Sequence, residues 1–165
     1  MKYLIIAAIL AAGPAFADLD IRFVEGAPKD RFTLTQTGGC ALGPSKITID
    51  LAGSAAGLIF DVTATGAGVE VFQPFELTAG AAQVETLPVV ADGDTKLTLA
   101  LSGLADGQSV AFTIDVDDTL GSRAITVSGA EIEGASVHLA NNASSVSATF
   151  DQTARAKITV PDCTS

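Results

Sequence analysis

The segment VAFTIDVDDTLGSR, residues 110–123, alternates in character from one residue to the next. Val110, Phe112, Ile114 and Val116 fall on one face, and Ala111, Thr113 and Asp115 on the other. Successive side chains of a β-strand point to opposite faces, so this period of two predicts a strand with one face on a core. The same alternation returns in ITIDL (residues 47–51) and KLTLAL (residues 96–101). Shorter runs of this kind stand at Ile21–Val24, Phe32–Thr35, Leu58–Val62, Val69–Phe72, Ile125–Val127, Val137–Leu139, Val146–Phe150 and Ile158–Val160. Turn-forming clusters such as EGAPKD, TGGCALGPS, AGSAAG, ADGD, ADGQ and NNAS separate them. Evenly spaced short strands of this composition predict an all-β fold, a single antiparallel β-sandwich of about ten to twelve strands. Residues 77–87, LTAGAAQVETL, lack the alternation and have room for a helical turn, but read better as a loop.

The N-terminus follows a different logic. Lys2 precedes an apolar run from Tyr3 to Ala12, Gly13 and Pro14 break it, and Ala15 and Ala17 stand in A-x-A spacing before Asp18. That is the layout of a secretory signal peptide, residues 1–17, cut after Ala17. The run is short for a membrane span, which takes about 20 residues. The expected mature chain, residues 18–165, is long enough for one domain with its own core, and its expected location is the periplasm or the cell exterior. Cys40 and Cys163 agree with export, since a pair of cysteines in an oxidising compartment forms a disulfide by default. A ring of that size stabilises by about 4–5 kcal/mol in the loop-entropy description. Two buried thiols are the competing reading.

The chain carries 19 acidic residues against 9 basic ones. Such a surface repels phosphate backbones, which argues against nucleic acid as a partner. Asp115, Asp117 and Asp118 concentrate the charge at the end of the 110–116 strand. Extended, it sends the carboxylates of Asp115 and Asp117 out of one face about 7 Å apart. Two charges at that separation in water repel by only about 0.6 kcal/mol, so a solvated rim with Arg123 as counter-charge is one reading. The other is a calcium site. Calcium takes about six to eight oxygens, often from acidic loops at one end of a sandwich, and Asp115, Asp117 and Asp118 could supply three. Asp61, Asp92, Asp94, Glu25 and Asp30 could add more if their loops share that end. The spacing is not that of an EF-hand.

Catalytic patterns are weak. Paired carboxylates need a cleft between them, and neither the aspartates of 115–118 nor Glu131 and Glu133 define one. His138 is the single histidine, and no serine-nucleophile signature accompanies it. GAGVE (residues 66–70) leads into a strand, so it lacks the helix N-terminus that binds phosphate. Asn142 lies in an N-x-S sequon. Phe72 and Phe75 flank Pro74, which confines that segment to an edge or a bulge and makes it a candidate docking strand.

Four segments, RFVEGAPKDRFTLTQTGGCALGP, GLIFDVTATGAGVEVFQPFEL, FTIDVDDTLG and ITVSGAEIEGA, give the chain a resemblance to secreted bacterial proteins of the "aggregation factor core protein" type. The resemblance spans nearly all of residues 18–165. It implies calcium-dependent cohesion at a cell surface and brings no catalytic residues with it. The expected function is therefore a secreted, non-catalytic adhesion or interaction module, with an extracellular protein or cell-surface component as partner. A secreted carboxylate hydrolase and an accessory or inhibitor domain docking through an edge strand are the alternatives.

Alkylation of the unreduced chain is expected to modify neither cysteine. Two alkylated cysteines in the intact mass would exclude the Cys40–Cys163 bridge.

Overall fold

Alternating burial organises the strands. In β1 (Ala17–Val24) the residues Ala17, Leu19, Ile21 and Phe23 are buried while Asp18, Asp20, Arg22 and Val24 turn outward. β2 (Asp30–Gln36), β3 (Ser45–Asp50), β7 (Lys96–Leu101), β10 (Ser136–Ala140) and β12 (Arg155–Val160) repeat that pattern. A computed structural model of the chain describes residues 16–63, 73–120 and 128–160. The expected runs at 69–72 and 125–127, the leader up to residue 15, Arg123 and Cys163 lie outside the described residues.

The remaining strands are β4 (Ile59–Phe60), β5 (Glu76–Ala79), β6 (Val84–Thr86), β8 (Ser109–Ile114), β9 (Val116–Asp117) and β11 (Ser145–Thr149). Two five-stranded antiparallel sheets form, in the orders β12-β1-β2-β8-β5 and β11-β10-β3-β7-β6, and the short pair β4-β9 stands apart. The fold is an all-β sandwich. Phe32, Phe112 and Phe150 fill its middle, with Phe23 and Phe75 packed at a tilt against them.

Three sequence expectations meet local corrections. Residues 77–87, read as a loop, contain edge strands β5 and β6 around a 3-10 turn at Ala81–Gln83. These strands are short and mostly exposed, so nothing compels alternation there, and the bulge between Leu77 and Ala79 breaks the pattern further. Strand 58–62 shrinks to Ile59–Phe60. The strand beginning at Val110 ends at Ile114, and after Asp115 the chain pairs with β4, Phe60 opposite Val116 and Ile59 opposite Asp117.

The candidate docking segment leads into β5, an outermost strand of the first sheet. Phe75 packs on Phe112 with ring centroids 5.0 Å apart. Glu76 is held by Lys29 at 3.0 Å, and the bulge follows it. Bulges and charges are how sheet edges resist further pairing. Phe72 lies outside the described residues.

The sandwich has two distinct ends. At one, the buried amide of Gln36 donates to the carbonyl of Cys40, and Phe16 bridges Gly39 beside the Ala17–Val160 pair. The proposed partner Cys163 follows Val160 by three positions in sequence. Ala17, the last residue of the expected leader, is also the first residue of β1. At the other end, Gly53 and Gly134 press backbone to backbone. A Cβ on Gly53 would lie 2.6 Å from the Gly134 carbonyl oxygen, so that contact requires glycine.

Phe112→Ala is expected to destabilise the fold by about 3–5 kcal/mol, because it removes a fully buried ring touching two others. Denaturant unfolding checks it; a loss below about 1 kcal/mol would mean the core does not depend on this stack.

Candidate functional site

The end that carries the Gly53–Gly134 contact also collects aspartates from four separate segments. Asp30 opens β2, directly opposite Ile114 at the end of β8. Its carboxylate accepts hydrogen bonds from Gly26 N–H (3.0 Å) and from Val116 N–H (3.1 Å), tying the β1–β2 turn to β9. Asp61 follows β4, and its N–H donates to the Asp115 carbonyl at 3.1 Å. The turn at residues 91–94 is fixed to β4 by two backbone bonds, Phe60 N–H to Asp94 O (2.8 Å) and Gly93 N–H to Phe60 O (2.9 Å). Val62 N–H donates to Asp92 Oδ1 at 3.2 Å, and Ala91 N–H to Asp94 Oδ2 at 2.8 Å. The loops bearing Asp30, Asp61, Asp92, Asp94, Asp115 and Asp117 thus share one end.

Several of these carboxyls are not on a solvated rim. Asp30 is 2 % exposed, Asp61 1 % and Asp117 9 %. The expected outward parity of Asp115 and Asp117 ends where β8 stops. Neither oxygen of Asp61 has a hydrogen-bond donor. Its neighbour is the Asp92 carboxyl, an acceptor like itself when ionised, so the two can bond only through a shared proton.

The electrostatics follow from this geometry. Desolvation, reinforced by Asp92, then Asp117 and Asp115, pushes Asp61 from the ordinary value of 3.8 up to about 7. Desolvation also raises Asp30 to about 7, against the two backbone N–H groups that hold its charged form. Asp115 rises to about 6, by desolvation and then the charge of Asp117, with Lys29 opposing. Asp118 is half-buried.

Among the described residues, no three Asp, Glu, His or Cys side chains are spaced to hold a metal ion together, the trio Asp115, Asp117 and Asp118 included. His138 is exposed, and its ring hydrogen-bonds Ser136 at 3.0 Å. Glu131 and Glu133 sit in the turn before β10. Asn142 lines a groove of about 300 Å³ with Lys46, Glu85 and Asn141 on the outer face of the second sheet, at the end away from the aspartates. No helix among the described residues is long and apolar enough to cross a membrane.

What the sequence did not reveal is the burial of Asp30 and Asp61. A weak signal existed for Asp61, which interrupts the apolar run Leu58–Val62.

The pH dependence follows directly. Raised carboxyls bind protons more tightly in the folded chain, so the stability they contribute is full below about 3.8 and is lost as pH rises through about 6 to about 7. In EDTA the unfolding temperature is expected to fall between about pH 5 and pH 8, and Asp61→Asn to flatten the fall. A steady rise over that interval would contradict the assignment. No protein-family model matches the chain, and no curated protein is similar enough to count as a relative.

Proposed function

We propose that the chain is an exported, non-catalytic adhesion module that engages an extracellular protein or cell-surface component through its acid-rich end. One observation carries the reading. Residues 87–91 (Leu, Pro, Val, Val, Ala), between β6 and the turn at 91–94, are apolar, with Leu87 62 % and Val89 98 % exposed, and the turn that follows is anchored among the aspartates. Leu120, also exposed, lies close to Gly57. Exposed apolar side chains on a loop held by a firm frame are what a contact surface uses.

Calcium is the cation this reading invokes, because an acid-rich end that must meet a partner needs its charge offset. The leader layout and the even pair of cysteines, Cys40 and Cys163, expected to form a disulfide, support the export part. The resemblance to aggregation factor core proteins supports cohesion at a surface. A hydrolase gains no support from the aspartates: Asp61, one member of the Asp61–Asp92 pair, is too deeply buried to reach a sugar or peptide.

Labelled chain is expected to stay on washed producing cells, and Leu87→Ser/Val89→Ser is expected to be released at least several-fold more readily while unfolding at an unchanged temperature. Equal retention of the two proteins, or retention of neither, would reject the reading.

A further inference from the structure

The stretch between β6 and β7, residues 87–95, contains neither strand nor helix. β6 fixes its near end by pairing with β7, and Leu51 N–H donates to Thr95 O at its far end at 2.7 Å. Between those ends, Val90 packs against the core and the turn at 91–94 leans on β4, a strand of two residues. The bonds to β4 and its continuation are Phe60 N–H to Asp94 O, Gly93 N–H to Phe60 O and Val62 N–H to Asp92 Oδ1. Asp92, which contributes a side chain to that set, also meets the buried carboxyl of Asp61. Two ionised carboxylates in contact repel and neither can donate, whereas one proton between them turns the contact into an O–H···O bond. The other charges acting on Asp61, those of Asp117 and Asp115, are acidic as well and favour the protonated form. Lys29 acts on Asp115 and pairs with Glu76, and Asp94 turns its Oδ2 to the Ala91 N–H. Asp30, the other deeply buried carboxyl of this end, is held by the Gly26 and Val116 N–H groups.

We propose that Asp61 and Asp92 are a proton-operated fastener: one proton shared between the two carboxyls holds the 91–94 turn against β4, and its release to solvent as pH rises past neutral frees that turn together with the apolar residues 87–91. The opening is local. A turn bonded to a two-residue strand gives way before five-stranded sheets do. Its direction follows from the raised value of about 7 at Asp61: closure is complete well below that pH and fades as pH rises through it. Acid therefore keeps Leu87 and Val89 on a fixed support, and mildly alkaline conditions loosen that support. This goes beyond the fall in unfolding temperature, which concerns the whole fold, and beyond the adhesion reading, which concerns a partner.

The test is amide hydrogen exchange of the purified chain, read residue by residue at pH 5.5 and pH 8. Each rate is divided by the rate of an unstructured chain at the same pH. At pH 8 a group with a value of about 7 is ionised about ten to one, so protection at Phe60, Val62 and Gly93 is expected to fall about tenfold between the two conditions. Leu99, in the middle of β7, is expected to lose less. Asp92→Asn keeps the Oδ1 that accepts from Val62 and sets an amide donor against Asp61, replacing the shared proton permanently. It is expected to retain the protection at pH 8, and Asp61→Asn to do the same by donating in the other direction. Either variant alone decides the matter should the other fail to fold. Equal protection at both pH values in wild type, a loss at Leu99 as large as at the three β4 and turn amides, or an undiminished loss in the Asn variants would overturn the fastener. The readout uses the isolated chain, so failed cell retention would reject the adhesion reading and leave this one standing.

Discussion

Phe32 and Phe112 lie opposite each other on β2 and β8, with rings stacked 5.1 Å apart, and the acidic end depends on that pairing. The register running from Thr35–Ser109 to Asp30–Ile114 is what sets Asp30 beneath Val116 and delivers Asp115 to the Asp61 N–H. Because side chains alternate, a slip of one residue would turn Phe112 and Ile114 out to solvent. The aromatic contacts with Phe23, Phe75 and Phe150 make that slip costly, so the core defines where the charges go.

That dependence explains how much could be read in advance. Strands whose inner face is fully buried announce themselves: Leu97, Leu99 and Leu101, or Ile47 and Ile49, stand at every second position because each must meet the core. Glu76–Ala79 and Val84–Thr86 carry no such obligation. They are held by backbone pairing at sheet edges, and backbone pairing leaves little trace in side-chain identity. The aspartates show the same divide. Their clustering at 115–118 is visible in the chain, whereas the approach of Asp61 to Asp92 arises from contacts between segments about thirty residues apart. The burial of Asp30 follows from its position opposite Ile114, which no local window contains.

The acidic end is where the fold departs from its own economy. Elsewhere among the described residues, two aspartates on the sheet faces carry ion pairs with partly exposed lysines, Asp50 with Lys96 and Asp18 with Lys157. Such exposed pairs contribute little to stability. Asp30 differs: its carboxylate, though buried, is used twice as a backbone acceptor and joins two turns. Asp61 has no backbone donor of that kind; its neighbour is the Asp92 carboxyl, and desolvation with that neighbour raises its pKa to about 7.

The placement of β1 beside β12 bears on how the sandwich would respond to mechanical load. Ala17, at the start of one strand, pairs with Val160, at the end of the other. Tension applied at those two residues would fall on the outermost rung first and peel the ladder one pair at a time, in the manner of a zipper and not of a sheared lap joint. The first rungs to part would be those farthest from the aspartates, so an early tug at that end would leave the acidic loops intact.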